Sequence, residues 1–194
     1  MRWVPGSLVV FEGLDRAGKT TQIDRLLALP WNPAPAQAHM PSGVAHCTDD
    51  IYEVTEARKL DEPLAVQLLH LAAHLINMQQ LLEARERYGL VLDRCGWSTL
   101  AYGGLGHGME AVGVSESTFT DLVNGIWSRL KPDVVFLFDQ PFDTDAANTS
   151  TVLASYRRLA QAAGALCVRV GSGSPDSLSE RIVAELQSRA IVEI

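Results

Sequence analysis

The 194-residue chain predicts an α/β fold, a parallel sheet with helices on both faces. Short apolar runs at 8–11, 90–92, 134–138 and 165–170 have the composition of strands buried on both sides. Longer stretches with apolar residues at helical spacing alternate with them. A balance of 47% hydrophobic to 20% charged residues is that of an ordinary globular chain, long enough for one domain with a substantial core. No internal repeat or linker composition breaks the alternation.

Taken in order, the first run, 8–11, leads through a glycine-rich turn into a helix with Ile23, Leu26 and Leu27 on one face. Pro30, Pro33 and Pro35 stop that helix. Residues 36–40 read as a short second strand, and Pro41-Ser42-Gly43 as a turn. Thr48-Asp49-Asp50 starts a helix expected to run to about 59. Pro63 opens a long helix whose apolar stripe is expected to be Leu68, Leu71, Ala72, Leu75, Ile76 and Leu82. Gly89 ends it, and 90–92 is a strand leading into Asp93-Arg94. Residues 103–108 read as a flexible turn, and Ser115 caps a helix to about 130. The strand 134–138 ends at Asp139, and a polar stretch covers 140–150. A helix at about 151–163, a last strand at 165–170 and a helix at about 177–189 complete the chain.

The turn after the first strand carries the most chemistry. It reads Gly13-Leu14-Asp15-Arg16-Ala17-Gly18-Lys19-Thr20-Thr21, which contains the full phosphate-binding signature G-x-x-x-x-G-K-T. Its glycines let backbone N–H groups turn inward around phosphate oxygens. The helix that starts near Lys19 aims its positive end at the same oxygens. Lys19 is placed to reach the β- and γ-phosphates, and the Thr20 hydroxyl to hold Mg²⁺. The strand before and the helix after make a chance match a poor explanation, so the loop predicts a nucleoside triphosphate site.

A second constellation, Asp93-Arg94, leaves the carboxyl end of a buried strand, where open α/β sheets bind ligands. Asp93 suits Mg²⁺ or its waters, and Arg94 a bidentate grip on a second phosphate. A purely structural Asp–Arg pair is the plainer alternative.

The run from Phe11 to Gln22 resembles the opening of thymidylate kinases. Asp93-Arg94 with Ser98, Ala101, Tyr102 and Gly103 resembles their second signature. Lys131-Pro132-Asp133 before a strand, and Tyr156 with Leu159-Ala160, fit as well. The resemblance implies a nucleoside monophosphate kinase fold with a five-stranded parallel sheet, in a single domain over 1–194. It implies transfer of the γ-phosphoryl group of ATP, with Mg²⁺, to a deoxynucleoside 5′-monophosphate, and a cytoplasmic homodimer. Gly13, Asp15, Arg16, Ala17, Gly18, Lys19, Thr20 and Thr21 would bind ATP, with Thr20 and Asp93 on the metal. Lys19, Arg16 and Asp93 would be catalytic. Arg16 matches members whose catalytic arginine sits in the phosphate loop. Asp15 would meet the acceptor's 3′-hydroxyl, Arg94 its phosphate and Tyr102 its sugar, and Pro41 would line the same pocket.

Three departures bear on the substrate. The aromatic and the arginine that contact thymine in the family fall at about His70 and His74. Both lie on one helix face, at i and i+4. They read either as two half-exposed histidines without a role, or as an altered base pocket, open to bases that differ from thymine at the 4-position, with acceptor affinity that changes between about pH 6 and 7. Met40-Pro41-Ser42-Gly43 lacks the arginine that usually follows this proline. The lid segment, 140–150, is short and has no Lys or Arg.

A net charge of −7 and the lack of a basic run argue against a nucleic-acid partner. Cys47, Cys95 and Cys167 are odd in number and widely spaced, which suits a reducing compartment. The first ten residues do not read as a signal peptide, and no apolar stretch is long enough to span a membrane. A nucleotide-binding regulatory protein with degraded catalysis, and a nucleoside kinase using Glu12 or Asp93 as base, stay open as alternatives.

Overall fold

A computed structural model describes residues 1–43, 47–56, 60, 62–104 and 113–193. Five parallel strands form the central sheet: β2 (Leu8–Gly13), β3 (Ala36–His39), β4 (Leu90–Asp93), β5 (Val134–Phe138) and β6 (Cys167–Arg169). Their spatial order is β3-β4-β2-β5-β6. The phosphate-loop strand β2 is therefore central, and the carboxyl ends of β3, β4 and β5 open on the same edge. A separate two-stranded antiparallel ribbon, β1 (Arg2–Trp3) with β7 (Val192–Glu193), joins the two ends of the described chain. Its strands are too short to leave a period in the sequence.

Every residue of β2 is buried, as a parallel strand covered on both faces requires. Its side chains alternate. Leu8 and Val10 join Leu90 and Leu92 on one face, against the helices α3 (Pro63–Tyr88) and α5 (Glu116–Trp127). Val9 and Phe11 join Val91 on the other face, against α1 (Lys19–Leu27) and α7 (Pro175–Ser188). The remaining helices are α2 (Cys47–Glu56), α4 (Gly96–Ser98) and α6 (Ser150–Ala163). Helix α4 runs directly into a six-residue π-turn, Thr99–Gly104, of the kind that often marks functional sites.

Cap chemistry sets several boundaries. Thr149 caps α6, where its side chain accepts from Val152 N, and Ser174 caps α7 by accepting from Ser177 N. Both helices accordingly start a residue or two before the expected positions. A 3₁₀ turn, Gly164–Leu166, takes the place of the first two residues expected in the last strand. Part of the expected turn at 103–108, and the last residues of the helix expected to reach 59, lie outside the described residues.

The long helix corrects the expected stripe. Its buried face is Gln67, Leu71, Ala73, His74, Asn77, Met78 and Leu81, while Leu68, Leu75 and Ile76 are exposed. Apolar residues occur nearly all round this helix, so spacing alone leaves its orientation open. Polar residues settle it. Asn77 is fully buried and donates to Ala73 O at 2.9 Å and Thr48 Oγ1 at 3.2 Å, which ties α3 to α2.

Gly89 ends α3 with φ +76°, and a Cβ there would lie 2.3 Å from the fully buried Trp3 ring. Gly89→Ala combines left-handed strain with a core clash. It is expected to cost about 3 kcal/mol, read as a lowered denaturation midpoint at unchanged m-value.

Candidate active site

The site grows from the end of β2. Gly13 has φ +129°, and a Cβ on it would lie 2.1 Å from Phe138 O on the neighbouring strand. Only glycine permits this approach, which lets Leu14 N donate to Phe138 O at 2.9 Å. Gly18, with φ +92°, then turns the chain into α1. The first N–H groups of α1 have no partner within the helix and face the loop. Lys19 is only 6% exposed and folds back, donating to Leu14 O at 2.6 Å and Gly13 O at 3.2 Å. Burial first, and then the charge of Arg94, push its ammonium down to about 8, against the opposite pull of Asp93, Asp15 and Glu12.

Arg94 leaves β4 with φ +74°, an uncommon conformation for a non-glycine residue. Its N–H continues the parallel ladder by donating to Phe11 O at 2.9 Å. The guanidinium donates to Ser98 Oγ at 2.8 Å, Gly13 O at 3.2 Å and Tyr156 Oη at 3.3 Å, and it pairs with Asp15. It also lies over the Tyr102 ring, 5.3 Å from the centroid. Behind it the fully buried Glu12 accepts from Cys95 N at 2.7 Å, Ser98 N at 3.0 Å, Ser98 Oγ at 2.6 Å and Tyr156 Oη at 3.1 Å.

Asp93, 7% exposed, accepts from His39 Nδ1 at 3.2 Å through Oδ2. Burial pushes its carboxyl up. The His39 hydrogen bond and charge, with Lys19 and Arg94, outweigh that and hold it below the ordinary carboxylate value. Its other oxygen, Oδ1, is buried with no hydrogen-bond partner among the described residues. Such an oxygen fits a cation or a cation's water, and Thr20 lines the same recess.

Two cavities meet here. A recess of about 220 Å³ is lined by residues of the 15–21 loop with His39, Asp93, Arg94 and Phe142. A larger one of about 740 Å³ holds Pro41, Gln67, His70, His74 and Tyr102, among others. Both are lined by Asp15, His39 and Arg94, so they adjoin at the arginine. All the residues expected to bind ATP, metal or acceptor line one cavity or the other, except Gly13 at the floor of the loop.

Arg16 lines the loop recess and meets the segment after β5. It has φ +54°, and its exposed guanidinium turns outward, with Nη1 2.5 Å from Asp143 and Nε 3.4 Å from Asp145. The segment after β5 also grips the loop's backbone. Phe142 N donates to Arg16 O at 3.0 Å. Asn148 accepts from Asp15 N at 2.9 Å and donates to Asp15 O at 2.8 Å, while Tyr102 Oη donates to its Oδ1 at 3.3 Å. Nothing in the sequence pattern signals Asn148, whose role depends on where a loop lands. The buried Glu12 does leave a signal, as a carboxylate inside an otherwise apolar strand.

His70 and His74 both line the larger cavity, but neither titrates as expected. Burial lowers both, and His74, with the charge of His70 adding to burial, falls to about 3. His74 is therefore neutral at physiological pH, and an affinity change between pH 6 and 7 does not follow from it.

The chain matches the family model for thymidylate kinase over residues 11–152. It is 30% identical over 147 residues to a thymidylate kinase of Cupriavidus taiwanensis, covering 73% of this chain and 70% of that one. It is 33% identical over 137 residues to one of Chlorobaculum tepidum, covering 68% and 61% respectively. In fold it is similar to the crystal structure of the thymidylate kinase of Ehrlichia chaffeensis. The TM-score there is 0.74 at 21% identity, over 93% of this chain and 98% of that one. A match across the phosphate loop, the Asp93-Arg94 arm and the strand β5, with relatives at this identity and coverage, places the chain in the thymidylate kinase family.

Proposed function

We propose that this nucleoside monophosphate kinase moves the γ-phosphoryl group of Mg²⁺-ATP to the 5′-phosphate of a deoxynucleoside monophosphate, TMP or a related pyrimidine nucleotide. The observation that carries the reading is the pair of cavities adjoining at Arg94, a loop recess for the donor and a larger cavity for the acceptor. Lys19 meets the β- and γ-phosphates once they displace its contacts with Gly13 O and Leu14 O. Arg94 holds the acceptor phosphate, Asp15 the 3′-hydroxyl and Tyr102 the sugar face. Thr20 and Asp93 hold Mg²⁺ or its waters, and the ion, when bound, neutralises charge on the phosphates.

Of the two candidate bases for a nucleoside kinase, Glu12 is ruled out and Asp93, with its bare Oδ1, is left. A base for a 5′-hydroxyl needs a free carboxylate oxygen, and both oxygens of Glu12 already accept from Cys95, Ser98 or Tyr156. Phosphate on the acceptor removes the need for such a base and gives Arg94 an anion besides Asp15.

The segment 140–150 acts as the lid in this reading, over a single domain of residues 1–194. It supplies carboxylates, not cations, so Arg16 must leave Asp143 and Asp145 for the transferring phosphoryl group. Exchange is feasible because Arg16 and Asp143 are exposed and Asp145 is only half-buried, and such pairs hold weakly. The homodimer and cytoplasmic setting belong to the same proposal. Leu68, Leu75 and Ile76 leave the outer face of α3 apolar, which suits burial against a second copy. Among the described residues, no helix is long and apolar enough to cross a membrane.

Lys19→Ala is expected to abolish ADP release with a deoxynucleoside monophosphate acceptor while leaving the unfolding midpoint nearly unchanged. Near-wild-type turnover in that variant would sink the assignment. Arg16→Ala is expected to lower kcat by about 10³-fold or more, with much less change in acceptor KM, checked by steady-state kinetics. A mild effect would move the role to another cation, although Arg157 and Arg158 already face Asp139 and Glu116. The pH dependence has a definite sign. In the free protein Lys19 carries its charge below about 8. ATP affinity, measured by nucleotide titration, should therefore weaken as pH rises through that value, and Lys19→Ala should flatten the profile.

A further inference from the structure

We infer that Trp127 sets the hydrogen-bonding polarity of the acceptor-base pocket. Its indole N–H locks His74 as the Nε2–H tautomer, so the pocket favours a pyrimidine with a 4-oxo group over one with a 4-amino group. The inference rests on the reading that the larger cavity takes the acceptor nucleotide.

The lock follows from what each group can do. An indole nitrogen only donates. Trp127 Nε1 lies 3.2 Å from His74 Nδ1, so Nδ1 must offer its lone pair and the ring's single proton must sit on Nε2. A doubly protonated ring would set N–H against N–H. The two rings meet edge to face, with centroids 5.2 Å apart and planes at 73°. The indole is held in place from behind. A Cβ on Gly96 would lie 2.7 Å from Trp127 Cδ1, so the backbone two residues after Arg94 runs directly against the ring. His74 itself is 2% exposed, and burial keeps it neutral.

On the cavity side, Gln67, His70 and His74 share the inner face of α3. A pyrimidine nucleotide anchored by its phosphate on Arg94 sends its base toward that face. The ring atom opposite the glycosidic nitrogen is C4, so the 4-substituent reaches furthest toward α3. A donor-only His74 satisfies a 4-oxo group and meets a 4-amino group with a second N–H. The pocket thereby keeps the one-way donation of the arginine whose place His74 takes. This reverses the expectation that an imidazole, able to donate and accept, tolerates either group.

The discriminating pair is dUMP and dCMP, which differ only along the edge that includes the 4-position. The wild type is expected to favour dUMP in kcat/KM by about tenfold or more. Trp127→Phe keeps an aromatic ring but removes the donor, which frees His74 to present either nitrogen. The ratio should then fall toward unity. A packing role alone would lower both substrates together and leave the ratio intact, and that result overturns the proposal. An unchanged ratio in Trp127→Phe, together with its loss in His74→Ala, shows that His74 reads the base without the lock, and also overturns it. If His74→Ala changes neither the ratio nor the acceptor KM, the cavity is not the base site and the underlying reading fails instead. Nitrogen-15 NMR of the wild-type imidazole needs no variant. The expected pattern is a protonated Nε2 and a bare Nδ1 at neutral pH, and a protonated Nδ1 ends the proposal.

Discussion

The geometry of the whole site depends on one buried carboxylate. Glu12 sits in the central strand with no exposure, and a charge there is tolerable only if it is fully bonded. It has four donors, two from backbone N–H groups of the arm after β4 and two from the hydroxyls of Ser98 and Tyr156. The same two hydroxyls accept from Arg94. Anion, hydroxyl pair and cation therefore form one network joining β2, the arm after β4 and α6. Losing a partner in such a network typically costs about 3–5 kcal/mol, because a buried charge is left uncompensated. The network also explains why Arg94 holds an uncommon backbone conformation: three side-chain hydrogen bonds and an ion pair fix it.

The network sets two cations, Lys19 and Arg94, where phosphates are to be read, among the carboxylates of Glu12, Asp15 and Asp93. Lys19 and Arg94 are both largely buried and repel each other, which helps push Lys19 down. Asp15 and Asp93 offset that repulsion in the absence of nucleotide. A phosphate arriving between the two cations is attracted by both at once, in a site whose donors are already in place. Asp93 fits this logic from the other side. One oxygen is satisfied by His39 and the other is left bare in the recess, where a cation supplies what the protein does not.

The legibility of these features in the sequence followed their range. The phosphate loop is contiguous, its glycines are forced by local conformation, and it stood out fully. The buried strands stood out because a parallel sheet covered on both faces needs unbroken apolar runs. The orientation of α3 did not, since its inner face carries Gln67, His74 and Asn77 while Leu75 faces outward. Hydrophobic spacing misleads wherever a cavity or a buried amide needs polar side chains on the inside. Asn148 was invisible for a different reason. Its two bonds to the Asp15 backbone join residues 133 positions apart, and no local pattern encodes such a contact. The His70 and His74 pair was visible as a departure from its relatives. Its chemistry depends on Trp127, 53 residues away from His74, and could not be read from the pair itself.

The acidic lid and the arginine in the phosphate loop make sense together. A loop that carries its own cation needs no basic lid, but an unpaired guanidinium beside an empty phosphate site would be free to wander. Asp143 and Asp145 give it a definite resting place, while Asn148 pins the loop backbone at the preceding residue, Asp15. Both carboxylates are solvent-accessible, so the pairing is weak enough to surrender to a multiply charged phosphate. The strong, buried contacts thus fall on the groups that must not move, Glu12 and Arg94. The weak, exposed ones fall on Arg16, the group the proposed mechanism requires to move.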